Sequence, residues 1–404
     1  MLKKTWPAIL VILFFGAPLP AAGELLTLDR AISLALERNP DILRAQKELE
    51  AAKWRRLQAG AFPNPDLVLS QEGISAGGAE GEKEISLGLE QLIEFPGKRS
   101  LRQDAARLEE EILAAGLERV KRLVAADVQR AYLRTAFYQK AAAGLDELLA
   151  FLEQYQEMAT VRFEAGQVSS LDVLRGRLES LQVRNELVEV RRQFRENLLS
   201  LNFLIGESES EKDTATDEIF FRPLTKDLAL LLSEAESSAA VRADALRLEQ
   251  ARAGALLARK NPLPDLKIGL YYPSLRSSAW GFSVGTTIPL WNRFKGEILA
   301  ADSAGQQMSV ALDARKKRVR SAVQRFYSDI KAGEAQLDLF ERSMLGDIRG
   351  MLELGVTEYQ YGKIDSLALF DLYKLYKAIR REHLTALLNH EIALVDLETA
   401  GESE

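Results

Sequence analysis

The segment LEAAKWRRLQAGAFPNPDL, residues 49–67, recurs as LEQARAGALLARKNPLPDL, residues 248–266, with nine identities at a constant offset of 199. Shorter matches continue along the chain at offsets of 197, 195 and 196, and the last of these aligns Gly166 with Gly362. Similarity of this extent between two halves indicates two copies of one structural unit. The drifting offset predicts loop insertions of a few residues between otherwise equivalent halves.

The duplication divides the chain into a first repeat over residues 24–206, a connector over 207–224 and a second repeat over 225–404. Each repeat reads as helix, strand, turn, strand, long helix, tight turn and helix. The connector is rich in Ser, Glu, Asp and Thr, which predicts a solvated segment.

Helix signals are clear in the first repeat. Asn39, Pro40 and Asp41 supply an N-cap, a proline at the first helical position and an acid in the first turn. Apolar residues then recur at coiled-coil spacing, which predicts a helix from about Arg99 to Phe163, roughly 100 Å long. The other predicted helices are Pro40–Ala61 and Ser170–Leu204, followed in the second repeat by Ser238–Lys260, Gly296–Tyr359 and Ser366–Leu397.

Each repeat also carries a predicted β-hairpin, over about residues 66–92 and 265–290. Apolar residues such as Leu266, Ile268 and Leu270 alternate with Lys, Gly or Ser. This alternation is typical of strands that lie between lipid and a watery lumen. A hairpin with one face packed on helices shows the same pattern, so both interpretations stay open on the pattern alone.

Four strands cannot close a membrane barrel, because even a small barrel needs about eight and an open edge cannot face lipid. Three chains would supply twelve strands around one axis. The predicted fold is therefore mainly α with a membrane β-barrel. In it, tandem helix-strand-strand-helix repeats form a long coiled-coil tube and a 12-stranded barrel shared by three chains.

The amino terminus has the order of an export signal. Lys3 and Lys4 precede an apolar run from Pro7 to Leu19, which is followed by small residues. We expect residues 1–22 to be a signal peptide that is removed from the exported protein.

Composition excludes several classes of protein. The chain carries 53 Lys and Arg against 59 Asp and Glu, a net charge of −6, so a broad basic surface for nucleic acid is not expected. There is no cysteine, and His383 and His390 are the only two histidines. They lie two helical turns apart, too far to share one ion, so we interpret them as packing or surface residues and expect no metal site, cofactor or enzymatic activity.

The chain resembles the TolC-like outer-membrane efflux proteins, and the resemblance covers essentially the whole mature chain. The residues that carry it are the tandem halves, Asn39-Pro40, Pro63 and Pro65, Phe95-Pro96-Gly97-Lys98-Arg99, and Trp291-Asn292-Arg293-Phe294-Lys295-Gly296. The Gly-Lys-Arg form in the first half is similar to the heavy-metal efflux branch.

The resemblance implies a homotrimeric outer-membrane channel whose helical part lies in the periplasm. Such a channel is the exit duct of a tripartite efflux or type I secretion system, and it works with a periplasmic adaptor (membrane fusion protein), an inner-membrane pump and outer-membrane lipid. The exported substrate could be a metal ion, a drug or a protein. The alternative interpretation is a soluble periplasmic coiled-coil adaptor or scaffold, since adaptors also use helical hairpins.

Two turns at the far ends of the long helices are candidate sites. Gly166 and Gly362 stand where each long helix turns back, as suits a residue with positive φ after a helix. The resemblance implies adaptor-docking tips around Gly166, Ser170, Gly362 and Ser366, and a periplasmic aperture formed by Asp172, Tyr359 and Asp371.

Two departures from the family pattern affect this aperture. Ala368 replaces one of two aspartates that ring it, and Ile364 stands where an arginine closes part of the latch. A tether between Tyr359 and Asp172 remains an expectation. Three copies of Asp371 in a narrow throat would favour cations over anions.

Overall fold

The computed structural model describes residues 26–72, 84–206, 219–272 and 280–402. The predicted signal peptide and residues 207–218 of the predicted connector lie outside the described residues. The elements of the first half are α1 (Leu28–Arg38), α2 (Pro40–Ala59), β1 (Asp66–Glu72), β2 (Glu84–Ile93), α3 (Lys98–Glu164) and α4 (Ser170–Leu204). Those of the second half are α5 (Leu228–Glu236), α6 (Ala239–Lys260), β3 (Leu266–Tyr272), β4 (Gly281–Thr286), α7 (Lys295–Leu339), α8 (Leu345–Gln360) and α9 (Ser366–Glu398).

The predicted helices are confirmed with small shifts at their ends, and α4 has the predicted bounds. The sequence analysis missed α1 and α5. In α1 the Thr27 hydroxyl accepts a hydrogen bond from the Arg30 N–H at 3.3 Å, and the helix ends at Asn39, which is at once the N-cap of α2. Because Asn39-Pro40 is so clear a start signal, it obscured the short helix directly before it.

The long helix of the second half is interrupted by a π-helical turn, Phe340–Met344, between α7 and α8. The sequence predicted one regular helix here. A π turn accommodates an extra residue within a continuous helix. The π turn lies between the matches at offsets 195 and 196. The one-residue increase in offset therefore arises within a helix. We had predicted a loop insertion instead.

The four strands form one antiparallel sheet in the order β1-β2-β3-β4. In the first hairpin Leu67 pairs with Leu89, and in the second Leu266 pairs with Thr286. These pairs are equivalent at offsets of 199 and 197, so the two hairpins have the same register. β2 and β3 join the halves, because Leu89 also pairs with Leu270.

The helices pack as long hairpins that all leave the sheet at the same end of the strands. α3 packs along the whole of the shorter α4, and it also packs on α2 and α6, which precede the strands. Near the far turns, α3, α8 and α9 enclose an aromatic core, whose fully buried members include Tyr155, Tyr359 and Tyr373. Among the described helices, none contains an apolar segment long enough to cross a membrane.

The described end of the connector is packed, not solvated as predicted. Ile219 is buried in a core cluster with residues of α3 and α9. The Arg222 backbone N–H and guanidinium donate to the buried Glu391 carboxylate at 3.0 and 2.7 Å. The polar composition of the connector could not reveal this contact, because Glu391 lies 169 residues from Arg222 in the sequence.

Candidate functional site in the sheet and at the helix tips

One face of the sheet is apolar across all four strands. The paired registers place these residues on it together: Leu67, Leu69, Ile85, Leu87, Leu89, Ile93, Leu266, Ile268, Leu270, Tyr272, Phe282 and Val284. Most of these side chains are exposed, including Leu67, Leu69 and Phe282. The helices therefore do not cover this face, which excludes the interpretation of hairpins packed on the helices and leaves a band suited to lipid.

The opposite face of the sheet carries small and polar residues. Ser70 and Ser86 face each other there with hydroxyl oxygens 2.6 Å apart. The Tyr271 ring lies over Gly281, where a Cβ would be 2.3 Å from the ring. An apolar face and a face of Ser, Gly and Lys together fit a wall between lipid and water.

A lysine clamp joins the two halves where the sheet meets the helices. Lys98, the first residue of α3, is buried, and its ammonium donates to the Leu263 carbonyl at 2.7 Å and to the Asp265 carboxylate at 2.9 Å. The same carboxylate oxygen accepts the Phe95 N–H at 2.7 Å. Lys98 of the motif Gly97-Lys98-Arg99 thus fastens the end of β2 to the start of β3.

Each of the two long helices is preceded by a residue with left-handed backbone conformation at the point where the chain leaves the sheet. Gly97 has φ 90° before α3, and Phe294 has φ 57° before α7. A Cβ on Gly97 would lie 2.1 Å from the Lys260 ammonium, which donates to the Pro96 carbonyl. The left-handed backbone conformation favours glycine at this position, and a larger side chain would also have to displace the Lys260 ammonium.

The two far turns have the same backbone conformation. Gly166 has φ 72° and Gly362 has φ 70°, and the N–H of the following residue reaches back to the carbonyl of Arg162 in one turn and of Glu358 in the other, at 2.8 Å in both. This is the glycine-terminated helix end expected from the sequence. The next helices are capped by Ser169 and Asp365.

Asp172 joins the two tips. One carboxylate oxygen accepts the Ser366 hydroxyl of the second-half tip, and the other accepts the Ser169 N–H and hydroxyl at 3.0 and 2.9 Å. Burial raises the pKa of this carboxyl, but the hydrogen bonds from Ser366 and Ser169 outweigh that effect and hold the pKa below its ordinary value. Two of the predicted site residues, Asp172 and Ser366, are therefore in direct contact.

Tyr359 is placed differently from the expectation. It is buried, its hydroxyl lies 3.5 Å from the Tyr155 hydroxyl, and its ring lies 4.9 Å from the Arg162 guanidinium carbon. Among the described residues, Asp172 bonds to Ser366 and Ser169 and not to Tyr359. Burial, with the neighbouring Tyr359 hydroxyl, raises the pKa of Tyr155.

Sequence reasoning missed Tyr155 and Arg162. Arg162 donates to the Tyr359 carbonyl at 2.7 Å, and the Tyr155 ring packs on Phe370 at 4.8 Å. Both stand at regular positions of a long heptad helix, where no local signal distinguishes them from other packing residues.

The remaining predicted residues lie on the surface of the tips. Ser170, Gly166, Gly362 and Asp371 are exposed. Within the described part of the chain, no hydrogen bond or ion pair involves the Asp371 carboxylate. Its neighbour Phe370 points into the aromatic core, so Asp371 points away from it.

The two histidines pack as predicted. His390 is buried against Phe221 with Nε2 at 2.9 Å from the Arg222 carbonyl, and the His383 ring packs on Phe340 in the π turn. Burial lowers the pKa of His383. Over the described ranges, no group of three or more His, Asp or Glu side chains has the geometry of a metal site.

An exposed apolar sheet face joined to long helical hairpins is the architecture expected of an outer-membrane channel protein. The sequence model of the family described as "Outer membrane efflux protein" matches residues 31–207 and 230–401. The chain belongs to this family and is an outer-membrane efflux channel; the family is one of channels and not of enzymes. This assignment excludes the alternative of a soluble adaptor.

Individual relatives agree with the family. The cobalt-zinc-cadmium resistance protein CzcC of Cupriavidus metallidurans is 24% identical over 376 residues, covering 92% of this chain and 88% of that protein. The fold is similar to that of the outer-membrane channel OprN, with a TM-score of 0.81, 16% identity and coverage of 93% and 90% of the two chains. For CusC the values are 0.78, 19%, 93% and 91%, and for VceC of Vibrio cholerae they are 0.79, 18%, 93% and 96%.

Proposed function

We propose that three copies of this chain form the exit duct of a tripartite efflux system that exports divalent metal cations. The supporting observation is the four-stranded sheet with an exposed apolar face and two open edges. Since an open edge in lipid leaves backbone groups without partners, the sheet needs neighbours on both sides. Three copies give twelve strands, and the helices of all copies continue the barrel as one tube.

The tips form the periplasmic end of this duct. They are the parts of the chain farthest from the sheet, since α3 has 67 residues and extends roughly 100 Å. The exposed residues Gly166, Ser170 and Gly362 face a periplasmic adaptor, while buried Ser366 holds Asp172 and sets the spacing of the two tips. The inner-membrane pump supplies the driving force.

The aperture of the duct carries the Asp371 carboxylate of each copy. It is exposed and without an ion pair within the described residues, so three copies around one axis concentrate negative potential. Asp172 and Tyr359 act differently: they hold the two tips of one chain together. Closure of the aperture then depends on how the Asp172–Ser366 contact fixes the hairpins.

The cargo is proposed from CzcC, whose name refers to cobalt, zinc and cadmium resistance. A negative aperture agrees with cation passage. The test is deletion of the gene followed by complementation, with growth measured in zinc, cobalt and cadmium salts. Restored resistance by the wild-type chain, together with a trimer in the outer membrane, is expected. Full resistance in the deletion strain would refute the cargo, and a monomer in the outer membrane would refute the assembly.

The substitution Asp371→Ala tests the proposed aperture independently of the proposed cargo. In planar bilayers the variant should lose cation preference and block by trivalent cations, because the ring of charge is gone. Asp338→Ala is the matched control: it removes an exposed carboxylate of α7 that pairs with Arg342 of the π turn, and it should leave both properties unchanged. An unchanged reversal potential in Asp371→Ala would place this residue outside the throat.

A further inference from the structure

The lysine clamp exists twice in the sequence but is formed only once within the chain. Lys98 corresponds to Lys295 at an offset of 197, and Asp265 corresponds to Asp66 at an offset of 199. Lys98 and Lys295 are each the first residue of a long helix, and each follows a left-handed residue. The backbone at the two junctions is therefore equivalent as well as the side chains.

The second pair is unused in the single chain. Lys295 and Asp66 are exposed, and neither side chain has a hydrogen bond or ion pair within the described residues. Lys98 meets Asp265 because β2 and β3 are neighbours in the sheet. Asp66 begins β1 and Lys295 follows β4, so these two residues lie at opposite edges of the sheet.

We propose that β4 of one copy pairs with β1 of the next copy as β2 pairs with β3, and that Lys295 binds the Asp66 carboxylate of that next copy. This inference rests on the proposed assembly of several copies and specifies its interface. The internal pair of Leu89 with Leu270 then fixes the register between copies. Applying the same offsets places Thr286 opposite Gln71 of the adjoining copy.

The length of β4 supports this assignment. β2 extends to Ile93, and its last three residues, 91–93, pair with β3 but not with β1. β4 ends at Thr286, and residues 288–290, which correspond to those three, have no strand beside them in the described part of the chain. Pro289 lacks an N–H, so this part of the ladder depends more on the charged side chains at its end.

The tips supply a second, independent observation. Inside the chain, Tyr359 and Phe370 of the second half pack on Tyr155 of the first. At the offset of 196 their equivalents are Phe163, Leu174 and Met351, which are 45%, 50% and 47% exposed. Repeating the internal half-to-half interface between copies would bring these three apolar side chains together and cover them. A second copy of this chain is thus the partner that fits both the open edges of the sheet and the exposed apolar residues of the tips.

Charge reversal tests the clamp. Lys295→Asp and Asp66→Lys should each lower the yield of trimer in detergent-extracted outer membrane at least tenfold, because each places like charges together. The double variant should recover at least half of the wild-type yield. Since one sheet keeps these residues at opposite edges, recovery requires a second copy. Lys47→Asp, at an exposed position on α2, is the control and should assemble normally.

Disulfide formation tests the register, because the chain contains no cysteine of its own. Thr286→Cys combined with Gln71→Cys should give cross-linked copies on oxidation. Thr286→Cys combined with Leu67→Cys is displaced by four residues and should not. A wild-type trimer with neither charge rescue nor cross-linking would overturn the clamp and leave the proposed function standing. A wild-type chain that never forms a trimer would instead refute the assembly on which both depend.

Discussion

Replacing Lys98 by methionine should weaken the junction between sheet and helices more than any surface substitution. Methionine keeps the length and apolar stem of the side chain but removes the ammonium. The Leu263 carbonyl then loses a donor at 2.7 Å, and the Asp265 carboxylate loses its cation at 2.9 Å. The ammonium end is well shielded, since the Lys98 side chain is 10% exposed and that of Asp265 is 31% exposed.

The magnitude follows from this burial. Removing one partner of a buried ion pair costs about 3–5 kcal/mol, and the lower end applies because Asp265 keeps some solvent and the Phe95 N–H. A loss of about 3 kcal/mol changes the unfolding equilibrium roughly 100-fold. For a chain of this size, the midpoint of thermal unfolding should fall by roughly 3–6 °C.

The assay is the loss of helical circular dichroism on heating the purified protein in detergent. Lys47→Met is the matched control. Its ammonium pairs with Glu50 at 2.8 Å on the exposed surface of α2, where ion pairs contribute little, so no measurable shift is expected. Equal midpoints for Lys98→Met and the wild type would refute the view that the clamp holds the halves together.

Three further predictions concern the tips. Gly362→Val should reduce metal resistance without reducing the amount of trimer, because φ 70° is strained for a β-branched residue; the same change at Gly144, inside α3, should leave resistance intact. Gly176→Ala should lower the thermal midpoint, since the added Cβ would lie 2.8 Å from the Tyr155 ring. Its control, Gly144→Ala, has open space around the added Cβ and should raise the midpoint, because alanine is favoured over glycine in a helix by about 0.5–1 kcal/mol. Ser366→Ala should lower the midpoint at pH 7 and pH 5 equally, and the difference from wild type should close below about pH 4. The sign follows because the folded pKa of Asp172 lies below its unfolded value, so the stabilisation is complete above the unfolded pKa and is lost as pH falls through the folded one; a difference that grows in acid would contradict this.

Much of the architecture was predictable from local signals. The Asn39-Pro40 start, the prolines before each hairpin and the heptad spacing fixed most helix and strand positions, since each depends on residues close in sequence. The turns at Gly166 and Gly362 were predictable for the same reason. The π turn was not, because a one-residue shift between two repeats has the same signature whether a loop or a helix accommodates it.

The sequence by itself determined the duplication, the order of elements and the alternating strands, because these follow from identity and periodicity along the chain. Only the tertiary structure decided which equivalent residues are used. It buried Lys98 against Asp265 and left Lys295 and Asp66 exposed, and it paired Asp172 with Ser366 rather than with Tyr359. The physical reason is that two similar halves offer equivalent groups, and only their packing side by side determines which groups meet and which remain exposed.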